Sequence, residues 1–311
     1  MDPRIKIFAG SSHPGLARAI CDQLDMPLAK SETVKFSNEN LMVKIQENVR
    51  GCDVYFIQTS APPVNENIVE MLIAIDALKG ASAARVTAVM PYYFYARSDK
   101  KDRPRISITA RLMADLLQTA GADRVLCMDL HSPQIQGFFR IPVDQLVGAP
   151  ILATHMKTWD IQNGVLVAGD VGEAKELGRF ANLMGLPVAV VDKRRYGDDD
   201  RAVATNLIGD VEGKHAIIVD DEIATGGTII EAANFLFARG ALSVKVAATH
   251  GVLSGPAIPR IHDSRIDTVL VTDTIPLRDK LSDKVRVLSV APVFAKAIRR
   301  IHDGDSVSDL F

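Results

Sequence analysis

Two adjacent carboxylates, Asp220 and Asp221, are followed after three residues by Thr225-Gly226-Gly227-Thr228. Carboxylates accept hydrogen bonds from the vicinal hydroxyls of a sugar. Glycines let backbone N–H groups close on a phosphate, most favourably at the positive end of a helix. An acidic pair and a glycine turn at this offset describe a site for a phosphorylated sugar. An ordinary strand-to-helix turn with an acidic tip is the alternative, and the fixed offset favours the sugar phosphate.

Further along the same logic, Arg97, Lys100, Lys101, Arg103 and Arg105 put five cations within nine positions, directly after Tyr92-Tyr93-Phe94-Tyr95. Such runs are usually solvated loops. Between a strand and the next helix, however, they suit a polyphosphate, with aromatic rings available to stack on a base. His131 also follows a strand, where a metal ligand and a structural histidine both fit. Asp170 stands between a strand and a helix, as an N-cap or as a group that reaches a metal through water. Lys193-Arg194-Arg195 follows an apolar run, and a transition-state clamp and a solvated hairpin are equal alternatives there.

The elements that must hold these residues read as α/β. Residues 216–219 form a short buried parallel strand, and the glycine turn opens a helix with Ile229, Ile230, Ala233 and Leu236 on its apolar face, stopped by Gly240. Strands are expected at 4–8, 53–58, 124–129, 165–168, 187–191, 244–248 and 268–271, with a last helix at 293–301. Gly10-Ser11-Ser12 before the first helix could hold an anion, but plain capping is favoured. Residues 35–40 read as a polar loop around an exposed Phe36, and Asn65 as the cap of a helix carrying Ile68, Met71, Leu72, Ile75 and Leu78. The stretch 133–144 is too polar and turn-rich for a regular element. A helix–glycine–strand unit recurs after Gly80, Gly121 and Gly240, which suggests two halves of one architecture meeting near Gly148-Ala149-Pro150. The expected domains are 1–148 and 149–311, with the last residues packing back on the first.

Composition supports this reading. The chain has 311 residues, 47% hydrophobic and 24% charged, long enough for two cores and too apolar for disorder. A formal net charge of −2 gives no electrostatic case for nucleic acid or a membrane surface. Cys21, Cys52 and Cys127 form no C-x-x-C pair and read as reduced thiols of a cytoplasmic protein. No apolar run approaches the roughly 20 residues of a membrane helix.

The run Asp129-Leu130-His131-Ser132-Pro133-Gln134-Ile135-Gln136-Gly137-Phe138-Phe139, continued by Pro142-Val143-Asp144, resembles the signature of the ribose-phosphate pyrophosphokinases. So do Tyr95-Ala96-Arg97, Lys193-Arg194-Arg195, the acidic pair with its glycine turn, and Ser254-Gly255-Pro256, and the resemblance spans residues 8–311. It implies two phosphoribosyltransferase-like domains, each a mostly parallel central sheet flanked by helices. The implied reaction converts ATP and ribose 5-phosphate into phosphoribosyl pyrophosphate and AMP, with Mg2+. By matched position, Phe36, Asn38 and Asn40 contact adenine, in this subunit or from a neighbour; Arg97, Ser98, Asp99, Lys100, Arg105 and His131 bind ATP. His131 and Asp170 hold the metal, directly or through water. Asp170, Asp220, Asp221, Ala224, Thr225, Gly226, Gly227 and Thr228 border ribose 5-phosphate, and Lys193 and Arg195 stabilise the transition state. The resemblance also implies a homo-oligomer, a hexamer built of dimers, with no nucleic-acid or membrane partner. Four positions depart from the family pattern: Ala224 in place of a third Asp, Glu222 in place of an apolar residue, Glu173 in place of a glycine and Ser98 in place of Gln. A phosphoribosyltransferase and a non-catalytic regulatory homologue are the competing readings.

Overall fold

The computed structural model describes residues 4–169, 172, 174–195, 202–277 and 282–310. The chain divides into two compact units, Met1–Val147 with Thr274–Pro276 and Ser289–Phe311, and Gly148–Asp273 with Leu277–Leu288. Both are α/β, and both are built on a mostly parallel sheet.

In the first unit, β1 (Ile5–Ala9), β4 (Asp53–Ile57), β5 (Arg85–Met90), β6 (Arg124–Met128) and β7 (Val143–Leu146) lie side by side in chain order, all parallel. Every residue of β4 is buried, as an apolar run covered on both faces requires. Helices α1 (Pro14–Leu24), α2 (Val64–Gly80) and α3 (Thr109–Ala120) make the crossovers. Met71, Ile75 and Leu78 of α2 pack with Val54, Phe56, Val86 and Ala88 of the sheet in one core. A separate two-stranded hairpin, β2 (Ser31–Lys35) and β3 (Leu41–Ile45), frames residues 36–40, and Val43 sinks into the same core. The polar loop expected there is thus the tip of a hairpin. The last helix, α8 (Ala291–Asp303), packs on α1. It is fastened by a buried cluster in which Arg85, Tyr55 and His302 all meet the carboxylate of Asp53.

Two further expectations fail in this unit. Asn65 does not cap α2: Pro63 precedes the helix with no side-chain cap, and Asn65 Oδ1 instead accepts from the Tyr95 hydroxyl at 2.7 Å. Residues 133–144 are not irregular, because Pro133–Phe138 winds into a 3-10 helix around the fully buried Ile135, and Val143 pairs with Val125. Tertiary pairing overrides a polar sequence there.

The second unit holds a seven-stranded sheet in the order β10-β9-β8-β11-β12-β13-β14. These are β8 (Gly164–Ala168), β9 (Val188–Arg195), β10 (Ala202–Ile208), β11 (His215–Ile223), β12 (Ser243–Gly251), β13 (Thr268–Thr272) and β14 (Val285–Leu288), all parallel except for β10 against β9. Helices α4 (Ala149–Met156), α5 (Ala174–Met184), α6 (Gly227–Ala238) and α7 (Ala257–Asp263) accompany it. Ile218, Val246 and Val269 of the sheet and Ala233 and Leu236 of α6 share its core.

Candidate functional site

Strand order decides where a ligand can enter the second unit. From β8 the chain moves through α5 to β9 on one side; from β11 it moves through α6 to β12 on the other. The order therefore reverses between β8 and β11. In open α/β sheets the crevice beyond the carboxyl ends of the strands at such a reversal is the place where ligands bind. The turn after β11 opens into it.

The acidic pair sits on the wall of that crevice. β8 ends opposite Val219, whereas β11 runs on to Ile223 with only β12 beside it, so Asp220 and Asp221 project past their neighbour. Both are half-buried, and the Asp221 amide donates to Asp220 Oδ1 at 2.9 Å, fixing the tip. The strand is longer than its apolar run because pairing with β12 continues through Glu222 and Ile223. Gly226 then takes φ 76°, the left-handed region that side chains disfavour, and turns the chain into α6 at Gly227. No side chain caps this helix, so its first amides are left to a ligand or to water. Ala224 contributes no polar side chain, and Thr225 is exposed at the turn. Arg260 Nη1 donates to the Thr225 carbonyl at 3.3 Å, holding the turn from α7.

Across β8 lies β9. Lys193, Arg194 and Arg195 are not beyond the strand, as the sequence suggested, but within it, paired with Ala204, Val203 and Ala202 of β10. The antiparallel partner keeps this polar stretch extended. Asp170 and Glu173, expected in the loop after β8, lie outside the described residues.

In the first unit, the remaining candidates gather at the carboxyl ends of neighbouring strands. The loop 91–108 leaves β5 and His131 follows β6. Tyr95 has φ 55°, a left-handed conformation in a non-glycine residue, just before Arg97. Arg97 and residues 100–107 are exposed, while Ser98 and Asp99 are half-buried. Ser98 closes the base of the loop. Its carbonyl accepts from the Ala110 amide at 3.1 Å and its hydroxyl from the Thr109 amide at 3.3 Å, so it satisfies the first turn of α3, whose own preceding residue provides no side-chain cap. Asp129 has φ 34° and introduces a half-buried His131. Beneath this end, burial and then the charges of Asp129 and Asp144 push the Cys127 thiol far above its ordinary value, so it stays protonated and inert.

The hairpin tip stands apart. Phe36 is 48% exposed, and Asn38 and Asn40 are exposed as well. The tip is nonetheless ordered: the Phe36 amide donates to the Asn40 carbonyl at 2.9 Å, and the Asn40 amide to Asn38 Oδ1 at 3.2 Å. An aromatic face and two amide side chains presented on a closed turn suit a flat heterocycle. Sequence reasoning did not find the roles of Asn65, Ser98 and Tyr95. Their partners lie 11 to 30 residues away and leave no local pattern.

Comparison with known proteins agrees with the geometry. A family model described as the N-terminal domain of ribose phosphate pyrophosphokinase matches residues 5–121. A second, the phosphoribosyl synthetase-associated domain, matches residues 200–311. A ribose-phosphate pyrophosphokinase of Caldanaerobacter subterraneus is 52% identical over 99% of this chain and 98% of its own length. That of Clostridium acetobutylicum is 51% identical over 99% of this chain and 97% of its own. A crystal structure of phosphoribosylpyrophosphate synthetase from Mycobacterium smegmatis superposes with a TM-score of 0.91 at 42% identity, covering 96% of this chain and 99% of that one.

Proposed function

The chain belongs to the family of ribose-phosphate pyrophosphokinases, and on that premise we propose how its residues divide the work of moving the pyrophosphoryl group of ATP to the anomeric hydroxyl of ribose 5-phosphate. The products are phosphoribosyl pyrophosphate and AMP. The observation that carries the assignment is the acidic pair and uncapped glycine turn at the strand-order reversal of the second unit.

The amides of Thr225, Gly226, Gly227 and Thr228 hold the 5-phosphate at the start of α6. Asp220 and Asp221 accept from the ring hydroxyls and fix the sugar. With Ala224 in the turn, two carboxylates do this alone. The anomeric hydroxyl is thereby oriented for in-line attack on the β-phosphorus, a step that needs positioning and charge stabilisation more than covalent help. Lys193 and Arg195 meet the charge that develops on the transferring group and on departing AMP. Phe36 stacks on adenine while Asn38 and Asn40 read its edge. Arg97, Asp99, Lys100 and Arg105 hold the triphosphate on a loop clasped by Ser98.

Mg2+ binds through few protein groups, several waters and substrate phosphates rather than in an all-protein cage. His131, half-buried just after β6, is the donor among the described residues that this reading uses. His131 and Asp170 would hold the ion, directly or through water. When bound, it neutralises the triphosphate. Three buried unpaired cysteines support a reducing, cytoplasmic setting. No helix among the described residues is long and apolar enough to cross a membrane. Assembly as a hexamer built of dimers is part of the same reading.

Incubation with ATP, ribose 5-phosphate and Mg2+ is expected to yield AMP and phosphoribosyl pyrophosphate in equal amounts. Release of ADP instead, or no turnover, would reject the assignment.

A further inference from the structure

Helix α2 carries Glu66 and Glu70 one turn apart, and both reach the hairpin whose tip holds Phe36, Asn38 and Asn40. Lys35 Nζ donates to Glu66 Oε2 at 2.7 Å, and Thr33 Oγ1 donates to Glu70 Oε1 at 2.6 Å. Four residues of helix rise about 6.0 Å and two of strand about 6.6 Å, so positions i and i+4 of α2 fall opposite i+2 and i of β2, running the other way. The Lys35–Glu66 pair is well exposed and contributes little.

Glu70 is different. It is only 1% exposed, yet its carboxylate is saturated with donors: the Ser11 amide at 3.1 Å, the Ser11 hydroxyl at 2.7 Å, Gln58 Nε2 at 2.6 Å and the Thr33 hydroxyl. Gln58 in turn accepts from the Ser12 amide at 2.9 Å and donates to the Asn67 carbonyl at 3.1 Å. A Cβ at position 10 would lie 2.4 Å from Gln58 Oε1, so glycine there is what admits the Gln58 side chain. The Gly-Ser-Ser turn does hold an anion, and the anion is the chain's own carboxylate. The capping task it was expected to perform falls to His13, whose Nδ1 accepts from the Leu16 amide at 3.2 Å.

The hairpin needs this anchor. It forms a two-stranded sheet joined to neither larger one, and such a sheet is marginal by itself. Val43 fastens β3 through the core, while β2 is fastened by polar contacts alone among those described: Lys35 to an exposed partner and Thr33 to a buried one. We infer that Glu70 is a positioning residue for nucleotide binding, holding β2 through Thr33 so that the hairpin tip meets adenine in a fixed orientation. This rests on the reading of Phe36, Asn38 and Asn40 as adenine contacts.

Two hydroxyls on the same carboxylate separate positioning from mere stability. Thr33→Val removes the hairpin-side donor, and Ser11→Ala removes a donor on the side of the first helix. Losing a hydrogen bond to a charged group is worth about tenfold in an equilibrium. Thr33→Val is expected to raise KM for ATP by about that factor. KM for ribose 5-phosphate and kcat should stay within twofold. Ser11→Ala should lower Tm comparably and leave KM for ATP unchanged. Glu70→Gln should follow Thr33→Val, and Thr33→Val carries the test if the buried amide prevents folding. Equal KM shifts from Thr33→Val and Ser11→Ala would overturn the inference. So would an unmoved KM in Thr33→Val while Phe36→Ala raises it. Phe36→Ala without effect on KM for ATP would instead reject the adenine reading, and the inference with it.

Discussion

Removing the guanidinium of Arg85 should release the last helix from the first unit. Asp53 is 8% exposed; Arg85 Nε donates to its Oδ1 at 2.7 Å and Arg85 Nη2 to its Oδ2, with Tyr55 at 3.0 Å and His302 at 2.9 Å completing the shell. Arg85 also donates to the Ile301 carbonyl at 3.1 Å, near the end of α8, where carbonyls lack helical partners and a cation is favoured. Burial alone would raise the Asp53 pKa, but hydrogen bonds from Arg85 and His302 overcome it and hold the carboxyl below its ordinary value. The sign follows. A depressed carboxyl stabilises fully above the unfolded value of about 3.9, and that contribution is lost as pH falls through the lower folded value. Arg85→Met leaves a buried charge without its main partner, a loss of roughly 3–5 kcal/mol. Because two units need not melt together, the assay is local: amide exchange in Ala291–Asp303 should accelerate roughly a hundred- to several-thousand-fold. Asp53→Leu in the Arg85→Met background should recover at least about 1 kcal/mol, since the orphaned charge is gone. Strictly additive losses in the double variant, or unchanged exchange in α8 for Arg85→Met, would refute the reasoning.

Lys193→Ala and Arg195→Ala should each lower kcat by roughly a hundred- to a thousand-fold while affinities for ATP and ribose 5-phosphate move less than about tenfold. Steady-state AMP formation beside direct titration measures both, and equal falls in affinity and turnover would make them ground-state binders. Gly226→Ala forces a side chain into φ 76° at a cost of about 1–2 kcal/mol, so KM for ribose 5-phosphate should rise about tenfold. An unchanged KM would show that the turn does not hold the phosphate. Ser98→Ala removes the hydroxyl that meets the Thr109 amide, and limited proteolysis within 99–107 should become several-fold faster; an unaltered cleavage rate would mean the clasp is superfluous.

What the sequence reveals and conceals follows burial. β4, β8 and the apolar part of β11 are legible because a strand covered on both faces must be continuously apolar. The hairpin and the edge strands β7 and β10 are not, because V-D-Q-L and A-V-A-T-N-L-I are held extended by their partners rather than by their own pattern. The same cause hides the true end of β9, where three cations continue a strand whose apolar run ends at Val191. Charged site residues are conspicuous at 97–105 and 220–221 because so much like charge needs a reason. Glu70 is concealed, for its partners Ser11, Thr33 and Gln58 converge only after folding.

The departures in β11 can now be separated. Asp220 and Asp221 are half-buried at the crevice, but Glu222 is 9% exposed and stands in register with His250, which is 1% exposed, on the neighbouring β12. Its side chain is therefore buried within the strand pairing, before the turn that follows. Under the proposed function, sugar recognition falls to Asp220, Asp221 and the backbone of Thr225–Thr228. The backbone share is the part a side-chain substitution at 224 leaves untouched, because Gly226 sets it through its own φ and Arg260 braces it through the Thr225 carbonyl. A turn whose geometry is fixed from outside the variable position can lose one side chain and still present its amides to a phosphate.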